Sequence, residues 1–146
     1  MRPFHTLLNP IAVAAEGASL LPATQRDAIV QSNLQALSAL RHRRAQFDDI
    51  KRLSLALMMA DTLAAVAPLA RANRPREIAA GIDALAAITR RHARHYAYIA
   101  QPDELDAISD ALAVHHIQVE HATVSEIERA QEKIDAMVQS KFGRAA

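Results

Sequence analysis

The chain has no cysteine and no tryptophan, only three glycines, and aromatic residues fill just 3% of its 146 positions. Without cysteine there is no thiol nucleophile, no Cys-ligated zinc, no iron–sulfur cluster and no disulfide, and a reducing compartment is compatible with the composition. The glycines form neither a phosphate loop nor a nucleophile elbow. No carboxylate pair stands apart from the surface acids. A non-enzymatic protein without a cofactor is therefore expected. Alternating β-branched runs, internal repeats and low-complexity tracts are also missing, so nothing points to strands or to a solenoid.

What is present is alanine and helical periodicity. The densest stretch, Phe47 to Ala72, carries two adjoining apolar stripes on one helix. Ile50, Leu53, Leu57, Ala60 and Ala64 form the first, and Leu55, Met59, Leu63 and Val66 the second. Such a helix is apolar around most of its circumference and calls for burial on several sides. A run of about eighteen apolar residues would suggest a membrane span, but Asp61 interrupts this one and an ionised carboxylate there is costly. Lys51, Ser54 and Asp61 share one narrow line that can face water, which fits the central helix of a soluble bundle. The opening residues make a poor signal peptide, because Asn9-Pro10 and then Glu16 break the apolar run after Arg2. A cytoplasmic protein without membrane contact is expected.

The pattern divides the chain into an arm over residues 1–22 and a helical domain over 23–146. In the arm, Asn9 and Pro10 can open a short helical turn that ends near Gly17. Thr24 can cap a first helix with Ile29, Val30, Leu34, Leu37 and Leu40 on its apolar side, ending around Arg41 to Arg44. Phe47-Asp48-Asp49 opens the central helix, which should close between Val66 and Asn73 because Pro68 removes a backbone donor. Pro75 suits the start of a third helix carrying Ile78, Ile82, Leu85, Ile88, His92 and Tyr96 or Ile99 along one face. Gln101-Pro102 must break it, with fraying from Arg94 onward. The fourth helix has a seam of Leu105, Ile108, Leu112, His115, Val119 and Ala122. Thr123-Val124-Ser125-Glu126 reads as a capping box for a fifth, which carries Ile127, Ile134, Met137 and Val138 and ends at Gly143. The expected fold is all-α, an antiparallel bundle of four to five helices with an N-terminal arm.

The net charge of +1 hides an asymmetry: residues 1–100 hold 13 Lys/Arg against 7 Asp/Glu, while 101–146 hold 4 against 9. The complementary halves could tie the last helices onto the first or drive self-association. Up-down connections bring Arg41, Arg43, Arg44 and Arg52 to the same pole as Arg90, Arg91 and Arg94. These arginines are candidates for an anionic protein partner or for nucleic acid, with Tyr96 and Tyr98 as candidate stacking residues. Cations at helix carboxyl ends are equally what helix dipoles favour, and the acids that open helices two and four partly neutralise the pole. The mild pI of 8.3 and the absence of a helix-turn-helix turn weigh against nucleic acid.

His92 with His95, and His116 with Glu120, have spacings that invite a bundle metal site. Folding back near Gln101 would set His92 level with Asp110 and leave the histidines out of register. The expectation is therefore no metal, with His92 paired to Asp110 and a buried His115 hydrogen-bonded to a neighbouring helix. The arm residues Leu7, Leu8, Ile11 and Val13 are too apolar to stand in water alone and are the candidate contact surface for a protein partner or a second copy.

The segment Asn9-Pro10-Ile11-Ala12-Val13-Ala14-Ala15-Glu16-Gly17-Ala18, with His115 to Gln118 and Glu126-x-x-Arg129-Ala130, resembles short uncharacterised proteins of proteobacterial prophages and plasmids. That resemblance implies an accessory role, binding and modulating a host or phage protein. It implies no reaction and no catalytic residue.

Overall fold

The computed structural model describes residues 17–66 and 74–142. The arm residues Leu7, Leu8, Ile11 and Val13, its helical turn, and the chain end at Gly143 lie outside them. Five helices account for the described fold: α1 Ala23–Arg41, α2 Phe47–Val66, α3 Pro75–His95, α4 Pro102–His121 and α5 Val124–Phe142. The bundle is all-α, as expected, and a single bridge pairs Leu20 with Thr123. No described helix is long and apolar enough to cross a membrane.

Helix α2 packs against all four others. Its first stripe is buried, with Leu53, Leu57 and Ala60 nearly inaccessible, while Lys51 and Asp61 on the polar line face solvent. The end of α1 (Leu37, Leu40), the start of α2 (Ile50, Leu53), the end of α3 (Leu85, Ile88) and the start of α4 (Ile108, Leu112) share one core cluster. The other half of α2 meets the start of α3 through Ala60 and Ile78. That order makes α1 to α4 antiparallel neighbours, and both arginine clusters fall at one pole. Helix α5 packs on the carboxyl half of α2, where Leu63 meets Ala130 and Ile127.

One boundary departs from expectation. Thr24 does not cap α1: Pro22 holds the N-cap position, and its carbonyl accepts the Gln25 and Arg26 N–H groups. Thr24 thus lies inside the first turn, where a hydroxyl cannot serve as the N-cap. Leu34 turns outward, 47% exposed, while Asn33 beside it is buried. At the two corners of the arginine pole, positions where glycine is usual are held by Arg43 (φ 58°) and Tyr96 (φ 56°). Arg44 N–H donates to Ala39 and Arg43 N–H to Leu40, a Schellman closure that compensates the unfavourable backbone at Arg43. Helix α5 opens as its sequence indicates, with Thr123 N–H on Glu126 Oε1 at 2.9 Å and Glu126 N–H on Thr123 Oγ1 at 3.2 Å.

Candidate functional site

Helices α1 and α5 both lean on α2 but share no packed interface among the described residues. Between them opens a cleft of about 580 Å³. Leu55, Met59 and Leu63 of α2 and Val119 of α4 form its apolar floor, Ile29 and Asn33 of α1 one wall, and Ile127 and Gln131 of α5 the other. The floor is the second stripe of α2. It is only partly covered, since Leu55 is 43% exposed and Met59 half-buried. At the end nearer the arginine pole the rim carries Asp48, Asp49, Lys51 and Arg52, two acids and two bases that cancel. At the other end Leu21 reaches in, placed by the Leu20–Thr123 bridge and by Val124 N–H donating to the Ser19 carbonyl at 2.8 Å.

The cleft also has a polar spot. His115 and Gln118 sit one turn apart on α4, both buried. Gln118 Nε2 donates to the Ala60 carbonyl at 3.0 Å, whereas Gln118 Oε1 and His115 Nδ1 meet no partner in hydrogen-bond geometry among the described residues. The expected hydrogen bond from His115 to another helix is thus not made. Burial pushes the His115 imidazole down to about 4, with His116 adding to the fall and Gln118 opposing it, so the ring is neutral at ordinary pH. His116, lowered by its own burial, lies 3.4 Å from Asn33 Nδ2. Neither Asn33 nor Gln118 stands out in the sequence as a site residue; an amide one residue from an apolar stripe is a faint signal, and only packing shows it to be buried.

The arginine pole is assembled but not uniform. Arg41, Arg43, Arg44, Arg52, Arg90 and Arg94 are exposed. Arg91 belongs to the scaffold instead: it donates to the Ile99 carbonyl at 2.9 Å and pairs with Glu104. Glu104 in turn accepts the Gln101 N–H at 2.8 Å, so one carboxylate caps α4 and fastens it to α3. Burial works to raise the Glu104 carboxyl, but the Arg91 hydrogen bond, the Gln101 N–H and the Arg91 charge outweigh it and hold the group below its ordinary value. Arg91 is thus committed to its own chain, which takes it out of the set of arginines open to a partner.

The His92–Asp110 pair does not form. Tyr96 ends α3 in the left-handed conformation, and the return to α4 stacks Tyr98 on His92 at 3.9 Å with 12° between the rings. Gly81 facing Ala107 and Ala111 fixes the register, and that register sets His92 against the corner rather than against Asp110. His116 lies by α1, and His92 by the corner. The described residues contain no group of three or more His, Asp or Glu side chains placed to hold a metal. Tyr96 is the most exposed of the large hydrophobic side chains among the described residues, at 88%.

No family model matches this chain, and neither a curated protein nor a solved structure does.

Proposed function

We propose that this protein is a non-enzymatic, cytoplasmic protein-interaction module and that the α1–α5 cleft is where it receives an apolar helical segment. The supporting observation is the second stripe of α2. A helix apolar on two stripes needs cover on both, and the described bundle buries the first and the Leu63 end of the second while leaving Leu55 exposed and Met59 half-buried. A cleft flanked by two helices that share no packed interface suits the helix-in-groove mode, whose ligands present anchors at i, i+3/i+4 and i+7. The balanced rim disfavours a highly charged ligand. The resemblance over residues 9–18 would make the module an accessory protein of a prophage or plasmid that modulates a host or phage protein.

A display library of amphipathic helical peptides, screened on the chain with residues 1–16 removed, tests this reading. Selected peptides should carry Leu or Met at those spacings and lose affinity about tenfold or more on Leu55→Asp or Met59→Asp, a change of about 1.4 kcal/mol. Enrichment that ignores both substitutions would sink the assignment to the cleft.

The exposed Tyr96 beside Arg94, at the pole shared by Arg41, Arg43, Arg44, Arg52 and Arg90, favours a second reading in which single-stranded nucleic acid stacks on the ring and pairs its phosphates with arginine. Fluorescence anisotropy on DNA and RNA should then show binding at about 50 mM salt that falls steeply by about 200 mM, because phosphate contacts release counterions. No binding at the lower salt would leave these arginines as helix-end compensation.

A further inference from the structure

We infer that the helical segment entering the cleft carries, among its apolar anchors, one neutral hydrogen-bond donor, an Asn or Gln amide, which His115 and Asn33 select. The inference rests on the reading of the cleft as a docking groove and adds what that groove recognises. Two buried polar side chains line it, His115 of α4 and Asn33 of α1, each 3% exposed. Buried polar groups are costly unless they are hydrogen-bonded, so each calls for a partner.

Their neighbours decide the kind of partner. Gln118 Nε2 donates to the Ala60 carbonyl at 3.0 Å, which orients the amide and leaves Oε1 as a buried acceptor without a donor. His115 Nδ1, one turn away on α4, is likewise buried and unpartnered. A proton on Nδ1 sets a donor beside that acceptor, whereas a bare Nδ1 would leave two acceptors shut in together. Burial and then His116 lower the affinity of the ring for a second proton, and Gln118 works to raise it, which is the effect of an amide oxygen on a ring N–H. The neutral ring carries one proton, so Nε2 is the acceptor it has left to offer.

Asn33 arrives at the same state. Its Nδ2 lies 3.4 Å from His116 Nε2, and an amide nitrogen can only donate, so Oδ1 is its remaining acceptor. The His116 ring that holds Asn33 stands 6.0 Å from the His115 ring, so the two acceptors belong to one spot. A carboxylate there would meet acceptors alone, and an ammonium or guanidinium would lose its hydration in an apolar cleft. A primary amide brings two N–H donors and no charge.

Helical peptides with Leu at three of the anchors i, i+3, i+4 and i+7, and every residue tried at the fourth, each position in turn, test this on the full chain. At one anchor Asn or Gln should bind more tightly than Leu, and about tenfold or more tighter than Asp. In His115→Leu the preference for Asn over Leu should fall by about tenfold, while the all-Leu peptide still binds and so shows the variant folded. Asn33→Leu should lower the preference in the same sense. Nitrogen NMR of the unaltered chain gives a reading free of substitution: His115 should be protonated at Nδ1, and its Nε2 signal should move when the Asn peptide is added. A proton on Nε2, or a preference for Asn unchanged in both variants, would overturn the inference. Peptides that bind with no donor preference would remove it and leave the helix-in-groove reading standing, and no binding by any peptide would remove both.

Discussion

Gly81→Ala should destabilise the protein by about 2 kcal/mol, although the same substitution in an exposed helix would gain about 1 kcal/mol. Gly81 lies inside α3, where its intrinsic effect is unfavourable, so only packing justifies it. An alanine Cβ there would stand 2.5 Å from Ala111 Cβ, 3.2 Å from the Ala107 carbonyl oxygen and 3.2 Å from Leu57 Cδ1. Two of those three atoms are rigidly attached to the α4 backbone and cannot rotate away. The helices must separate, and overpacking of this kind costs about 3 kcal/mol at the upper end of its usual range. Urea unfolding should show a lower midpoint with an unchanged slope. Ala111→Gly removes the atom at 2.5 Å, so the double variant should be more stable than the two single changes predict, a coupling of about 1 kcal/mol or more. Additive losses would mean that the contact at Gly81 does not set the α3–α4 distance.

Much of the architecture was legible because it follows from periodicity and caps. The seam Leu105, Ile108, Leu112, His115, Val119 and Ala122 is buried from Ile108 onward, with Leu105 half-buried at its start, and Thr123 with Glu126 makes the box its sequence spells. Register was not legible. It depends on Gly81 letting α3 approach α4 and on Tyr96 adopting a conformation for which tyrosine has no preference, so the Asp110 partner assigned to His92 gave way to Tyr98. The arginine clusters were visible as a charge pattern, but their separation into a clamp (Arg91) and exposed members depends on Glu104, which the first turn of α4 presents as one acid among several. The cleft was visible only indirectly. The second stripe of α2 was plain in the sequence, and the gap above it is a consequence of α5 packing beside α1 rather than on it.

His115 should make folding stability depend on pH between about 6.5 and about 4. The ring is 3% exposed, and burial lowers its affinity for a proton to about 4 in the folded state, against about 6.5 when the chain is unfolded. Between those values the unfolded chain binds the additional proton, so stability is complete above about 6.5 and declines as the pH falls toward 4. At about 1.4 kcal/mol per pH unit, the move from pH 7 to pH 5 should cost about 2 kcal/mol, rising to about 3 kcal/mol near pH 4. His116 acts in the same direction, but it is half-buried and solvent screens its share. Glu104, held below its ordinary value, adds a loss only in more acid solution, where the carboxylate that caps α4 becomes protonated. Urea midpoints at pH 7, 6 and 5 read the histidines without Glu104. His115→Leu keeps an apolar side chain of similar size on the α4 seam and removes the titration, so it should lose less than half as much stability as the parent between pH 7 and pH 5. An equal loss in both proteins would place the acid sensitivity elsewhere and leave His115 a packing residue whose unpartnered nitrogen has no thermodynamic consequence.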